Sequence, residues 1–343
     1  MKVLKFLGLG VLGLVVLLAA IGLMLPRYVH VERATVLAAK PATVFVYLNG
    51  FKNFNRWSPW ADIDPATQYS FDGPLIGVGA KQSWRSEHPN VGQGSQQIVS
   101  VVPQQSITMR LELPEMSPSI VTQSMEPQDE GTKLIWSLDA DMGWNPVNRW
   151  FGLLFDKFIG PDYEKGLATL KPLIEALPQG DLAIDELSLV TTTASPWLVV
   201  SDAGSAAGDG AEVAAKLGAA YGRISQYMES HGLQQVSAPV AITRSFDEQS
   251  LFWEFDAGIP IDASATASGV DSGIRLVQSY AGAALKLTHV GSYASMRPSY
   301  EKLDRFRLVA GLESNGQPWE HYVTDPADTP VDALRTDIYW PVK

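Results

Sequence analysis

From Phe6 to Leu25 the chain runs for 20 residues without a polar side chain. As a helix such a run spans about 30 Å, the thickness of a bilayer's hydrocarbon core. No face of it is polar, so it does not suit the surface of a soluble core. Lys2, Lys5 and the free amine precede it, and Pro26, Arg27 and a polar chain follow. That bias favours the N-terminus inside and the bulk of the chain outside. A secretory leader is the competing reading, since Ala20-Ile21-Gly22 places small residues two apart. Against it, the run is long for a cleaved signal and continues through Leu23-Met24-Leu25. The sequence therefore predicts an uncleaved, single-pass anchor over residues 1–27. Its expected setting is a bacterial inner membrane, with the soluble domains in the periplasm or outside the cell.

The 343 residues suit two domains of about 150 each. Apolar residues make up 46% and charged residues 18%, a globular composition. A net charge of −11 argues against a nucleic-acid partner, which needs Lys and Arg to neutralise phosphates. The absence of cysteine removes disulfides, thiolate metal sites and a cysteine nucleophile. The histidines (His30, His88, His231, His289, His321) lack H-x-x-x-H spacing, so neither a metal nor a cofactor is expected. No Ser-His-Asp order, phosphate loop or dinucleotide fingerprint stands out.

The first domain is expected over residues 28–178. Val29 to Ala38 reads as a strand, and Lys40-Pro41-Ala42-Thr43 opens a short helix with proline in its first turn. Asn53 to Trp60 is an aromatic, turn-rich segment. Ile107, Met109, Leu111 and Leu113 alternate with polar residues, as do Leu134, Trp136 and Leu138, giving sheets with one buried face. Glu130-Gly131-Thr132 marks a hairpin turn. After Asn145-Pro146 the period becomes helical, through Trp150, Phe151, Leu154, Phe158, Leu167, Leu170, Ile174 and Leu177, with a break expected near Gly160-Pro161.

With Lys40-Pro41-x-x-Val44-Phe45, Trp57-Ser58-Pro59-Trp60 before Asp64-Pro65, Gly77-x-Gly79-Ala80 and Gly166-Leu167, this half resembles the START-like, or polyketide-cyclase-like (SRPBCC), superfamily. The resemblance implies a helix-grip fold, a curved antiparallel sheet around a long C-terminal helix. It also implies a cavity, for which Trp57, Trp60 and Trp84 are the candidate lining residues, although core packing is the commoner use of such side chains.

A linker is expected over 179–186 and a second domain over 187–343. Here a strand-helix-strand-strand unit occurs twice. The first has a strand from Leu187 to Val200, a helix from Glu212 to Ser230 capped at Gly232, and strands at Val240–Arg244 and Leu251–Ile261. The second has a strand Ala284–Val290, a helix Pro298–Leu312, and strands Trp319–Thr324 and Leu334–Pro341. Two such halves about a pseudo-twofold axis make an α+β domain with a groove between them. His289-Val290-Gly291-Ser292-Tyr293, Trp319 to Pro326 and Thr336 to Val342 make this half similar to the GyrI-like effector-binding family. That resemblance implies a carboxylate, matching Glu320, among aromatic rings that receive organic, often cationic, ligands. In some relatives the glutamate serves hydrolysis of electrophilic small molecules. Regulators of this family carry a basic DNA-binding domain, and this chain shows none.

Glu320 and Tyr322 lie two apart on a strand and so point to the same face. Burial would raise the Glu320 pKa and make it a proton acceptor as well as an attractor of cations. Tyr293, Trp253, Phe255 and Trp340 complete the ligand-binding candidates; for Trp253 and Phe255 the alternative is core packing. The leading expectation is a membrane-anchored, extracytoplasmic binder of an amphipathic, cationic or lipid-like organic molecule. The alternatives are a hydrolase using Glu320 and Tyr322, and an envelope scaffold with vestigial cavities.

Overall fold

The apolar leader is a helix, α1 (Lys2–Met24), and only 6% of its apolar window is buried, so protein leaves nearly all of its flank uncovered. The computed structural model describes residues 2–114, 116–129, 131–208, 210–262 and 273–343. They form two units, built mostly of the chain before Gly180 and of the chain from Gly180 onward.

The first unit continues with β1 (Tyr28–Leu37), α2 (Pro41–Leu48), β2 (Gln68–Asp72), β3 (Lys81–Arg85), β4 (Gln93–Val102), β5 (Ser106–Glu112), β6 (Ser119–Gln128), β7 (Gly131–Asp141), α3 (Pro146–Gly152) and α4 (Phe155–Glu175). The sheet is antiparallel in the order β1-β7-β6-β5-β4-β3-β2. The strand that starts the unit thus pairs with the one that ends it, from Tyr28↔Asp141 to Leu37↔Thr132. Alternation along β5 and β7 buries Ile107, Met109, Leu134, Trp136 and Leu138, as the period of two requires. Glu130 of the expected hairpin turn lies outside the described residues; β6 and β7 meet there at Gln128↔Gly131.

The helical break is not where Gly160-Pro161 suggested. It falls at Leu153-Leu154, and α4 runs through Gly160, Pro161 and Pro172. An interior proline costs about 3 kcal/mol. An unbroken axis keeps Tyr163, Leu167, Leu170 and Ile174 buried in one stripe, at about 1.5–3 kcal/mol for each buried apolar side chain, which outweighs it.

The second unit contains β8 (Leu187–Thr192), β9 (Pro196–Ser205), α5 (Ala211–His231), β10 (Val240–Asp247), β11 (Phe252–Pro260), β12 (Ile274–Gln278), β13 (Gly282–Val290), α6 (Arg297–Ala310), β14 (Trp319–Tyr322) and β15 (Arg335–Pro341). The order β12-β9-β11-β10-β14-β15-β13-β8 reads as two mirrored halves meeting at β10 and β14. The repeat is present, with Gly232 in the left-handed conformation capping α5. Two details differ from expectation. The strand expected over Leu187–Val200 is two strands, because Pro196 restricts Ser195 and ends any continuous ladder. The short β12 was not foreseen. The outer strands are exchanged: β8 pairs with β13 of the second half, and β12 with β9 of the first.

The segment expected as a linker is tied to α6. Lys302 reaches Asp181 at 2.9 Å and Glu186 at 3.3 Å, and Arg305 donates to the Asp181 carbonyl at 2.9 Å. Each unit has its own sheet and buried face, so each is expected to fold alone when the chain is cut at Gly180. Thermal unfolding of the two fragments by circular dichroism should show a cooperative transition in each; a fragment with no transition would contradict this.

Candidate functional site

The site is assembled around the seam between the two halves of the second unit. There β10 and β14 pair through Val240↔His321, Ala241↔Glu320 and Ile242↔Trp319. The strand period sends Trp319 to one side, where it stacks on Tyr339 at 4.8 Å beside Trp197 and Val240. Glu320 and Tyr322 go to the other side, towards the helices. Glu320 is 6% exposed, an unusual position for a carboxylate unless it is paired.

Its partners are tyrosines. Tyr300, from α6, donates to Oε1 at 2.8 Å, and Tyr322, from its own strand, donates to Oε2 at 2.6 Å. Tyr293 sets its ring edge-on to Tyr322 at 5.4 Å, and Tyr221, from α5, does so from another side at 6.5 Å. The Tyr221 hydroxyl donates to the Val240 carbonyl at 2.9 Å, which fixes that ring. Tyr293, Tyr300 and Tyr322 are half-buried, so the carboxylate lies beneath a partly exposed rim of phenol rings.

The electrostatics follow from this burial. Desolvation pushes the Glu320 carboxyl above its ordinary range, and the two tyrosine hydrogen bonds pull it part of the way back. Burial, reinforced by the neighbouring carboxylate, also raises Tyr221, Tyr293, Tyr300 and Tyr322, so all four stay neutral donors through the physiological range. The arrangement can therefore offer a buried negative charge behind electron-rich ring faces, or exchange a proton at Glu320.

Of the residues expected here, Glu320, Tyr322 and Tyr293 are brought together. Trp340 stands one ring further out, edge-on to Tyr300 at 6.4 Å, with its indole N–H donating to Ser314. Trp253 and Phe255 are core residues, buried with Ile224 and Met228 of α5, and Tyr322 packs against that cluster. Trp253 donates to Thr243 Oγ1 at 3.2 Å. Tyr300 and Tyr221 were not foreseen as site residues. A signal for them exists: the sequence offset from Tyr221 to Tyr300 equals that from Ala241 to Glu320, so both pairs are equivalent positions of the repeat. One half of the seam carries a carboxylate and the other a methyl.

In the first unit Trp57 and Trp60 both pack on Trp136, but Trp84 does not join them. Trp57 packs edge-on to Trp136 at 4.9 Å, Trp60 does so at 6.2 Å, and Trp136 lies flat on Tyr163 of α4 at 3.7 Å. These rings occupy the space between sheet and long helix. Trp84 lies over Gly94 in a surface depression with Gln93 and Glu112. The first unit also holds buried polar atoms with no hydrogen-bond partner among the described residues, including Tyr47 Oη, Gln82 Oε1, Gln96 Nε2, Gln123 Oε1 and Trp136 Nε1. Each would cost about 1–3 kcal/mol if left unsatisfied. Among the described residues, no cluster of three His, Asp or Glu side chains is placed to hold a metal ion.

Comparison with known proteins agrees with this layout. Residues 28–175 match the family described as polyketide cyclase / dehydrase and lipid transport, and residues 186–343 match the GyrI-like small molecule binding domain. No match is found among the curated proteins. Among solved structures, the chain is similar to EcmrR in its DNA complex, at TM-score 0.40 and 14% identity, over 46% of this chain and 57% of that one. It is similar to a hydrolase from Listeria innocua, at TM-score 0.35 and 16% identity, over 46% and 92%. A third likeness is to SA2116 from Staphylococcus aureus, a protein of unknown function, at TM-score 0.35 and 13% identity, over 43% and 94%. The chain thus joins a domain of the polyketide cyclase, dehydrase and lipid transport type to a GyrI-like small-molecule binding domain.

Proposed function

We propose that this protein is a membrane-anchored, extracytoplasmic receptor for an organic cation with an apolar body, bound at the tyrosine rim over Glu320. The observation that carries the reading is the buried carboxylate held by Tyr300 and Tyr322 beneath half-buried rings. A cation above it gains Coulomb attraction in a desolvated place and about 0.5–2 kcal/mol from each favourable ring face. The test is equilibrium binding of a cationic dye such as a rhodamine, beside a neutral dye of the same size. The cationic dye should bind and the neutral one should bind at least ten times more weakly. Equal binding of both, or of neither, would remove the proposal.

Retention of the leader as an anchor is supported by what α1 touches. The carbonyls of Leu23 and Leu25 at its end both accept from Arg149, at 2.6 and 3.2 Å, and Arg149 is 5% exposed. Cleavage after Gly22 would keep those two acceptors but would remove Leu18, whose carbonyl accepts from the Trp150 indole N–H at 3.0 Å, and the packing of Gly22 on Pro146. Full-length protein should therefore stay with membranes through an alkaline carbonate wash, and a released fragment starting near Leu23 would contradict this.

A second reading, hydrolysis of electrophilic small molecules, is favoured by one observation: the raised carboxyl has two tyrosine donors at hand, as a proton-transferring site requires. The two readings part on Tyr300→Phe. Losing a donor to the charged form should raise the Glu320 pKa further. For a receptor, that moves the pH midpoint of cation binding upward and leaves plateau affinity nearly unchanged. For a hydrolase it changes turnover of an activated ester, and a wild type with no turnover above background would dispose of this second reading.

A further inference from the structure

One apolar surface belongs to neither binding domain's interior. Around α3 and the start of α4, Trp144, Val147, Phe151, Leu153, Leu154 and Phe158 are all exposed. Val147, Phe151, Leu154 and Phe158 recur at helical spacing, so the stripe continues across the break between the helices. A soluble domain rarely presents so many large apolar side chains in one stretch without an occupant.

The position of α3 identifies the occupant. Gly22 of α1 is where the helices touch: a side chain there would meet Pro146 at 2.7 Å. The Trp150 indole N–H donates to the Leu18 carbonyl at 3.0 Å. Leu18 lies six residues before Met24, the end of α1, so Trp150 sits roughly 9 Å back along the helix axis, at 1.5 Å per residue. If α1 crosses a bilayer, α3 cannot stand clear of it. Above this level the chemistry becomes polar. Arg27 pairs with Asp141, and the Arg27 and Arg149 guanidinium groups lie 5.4 and 5.2 Å from the Trp144 ring centre. Tryptophan and arginine at one level, with exposed Phe and Leu on the adjoining helices, match the composition of a membrane interface.

We infer that the segment Trp144–Phe158 is a second membrane element, an interfacial helix pair lying in the leaflet beside the last turns of α1. This rests on the proposed anchor. It gives the first domain, which matches a lipid-transport family, a fixed seat on the bilayer instead of a flexible tether. The Arg149 contacts to Leu23, Leu25 and Gly143 are what hold the two membrane elements in register.

Because the chain has no cysteine, site-specific labelling tests this on the full-length protein. Variants Phe151→Cys, Phe158→Cys, Val11→Cys and Gln128→Cys would each carry an environment-sensitive fluorophore. They would be reconstituted in phosphatidylcholine–phosphatidylglycerol vesicles with or without doxyl-labelled lipid. Gln128, at the end of β6, faces Gly131 at the far end of β7 from Asp141, about 33 Å away at 3.3 Å per residue, and serves as the control outside the membrane. Lipid quenching at positions 151 and 158 should exceed that at 128 at least fivefold, with emission shifted to the blue. Strong quenching at 11 with none at 151 and 158 would overturn this inference and leave the anchor standing. No quenching at 11 would overturn the anchor and this inference together. A blue shift at 151 and 158 without lipid quenching would mean that a second copy of the chain covers the stripe, and would also overturn it.

Discussion

Binding of a cationic dye should weaken about tenfold for each pH unit below the Glu320 pKa and level off above it, while Glu320→Gln should bind weakly and without that slope. The reasoning starts from burial, which raises the carboxyl above its ordinary value of 4.5. Below the raised value the site holds a proton, and a cation must displace it before it meets a charge. That displacement costs one factor of ten per pH unit. Above it the charge is already present. Removing the charge in Glu320→Gln should lower plateau affinity by roughly 1–3 kcal/mol, about 5- to 150-fold. The four tyrosines stay neutral across this range. His321, on the adjacent strand position, has its pKa lowered by burial and titrates in both proteins, so Glu320→Gln isolates the glutamate. Fluorescence titrations from pH 4 to 8 would show the slope; a flat wild-type profile would mean that the cation never meets the carboxylate.

The same shift has a sign for stability. The folded state holds the Glu320 proton more tightly than the unfolded chain does. Between the unfolded value and the raised folded value, stability therefore falls as pH rises. Glu320→Gln lacks this loss, so its melting temperature relative to wild type should rise across that window.

Trp136→Ala should remove a large part of the first domain's stability. Its ring lies flat on Tyr163 and takes the edges of Trp57 and Trp60, so truncation opens a hole that no single neighbour can fill. Such aromatic truncations cost about 3–5 kcal/mol, a large part of the ~5–15 kcal/mol that holds a typical domain folded. Trp84→Ala, at a surface depression, should cost under about 1 kcal/mol. Calorimetry of the two variants would give the comparison. Near-equal losses would show that the ring cluster is not the keystone of this core.

Much of the architecture could be read locally. The apolar leader, the strand alternation of Ile107–Leu113 and Leu134–Leu138, and the twofold recurrence of strand-helix-strand-strand all depend on periods of 2 and 3.6 within one segment. So did the shared face of Glu320 and Tyr322, since two residues on one strand need no third element to align them. Pro161 misled because its local cost is visible in sequence, whereas the burial that overrides it belongs to the packed helix.

What tertiary structure alone decided was pairing between distant segments. The exchange of β8 and β12 depends on which edge each short strand finds, and no period encodes that. The convergence of Tyr300 on Glu320 depends on how α6 crosses the sheet. Trp253 and Phe255 share one face of their strand, and only the covering helix α5 makes that face core. The seating of α3 against the end of α1 depends on Arg149 reaching carbonyls more than 120 residues away in sequence. Side-chain direction is a local property of the backbone; the partner that a side chain meets is set by chain return, and that is settled only when the sheets close.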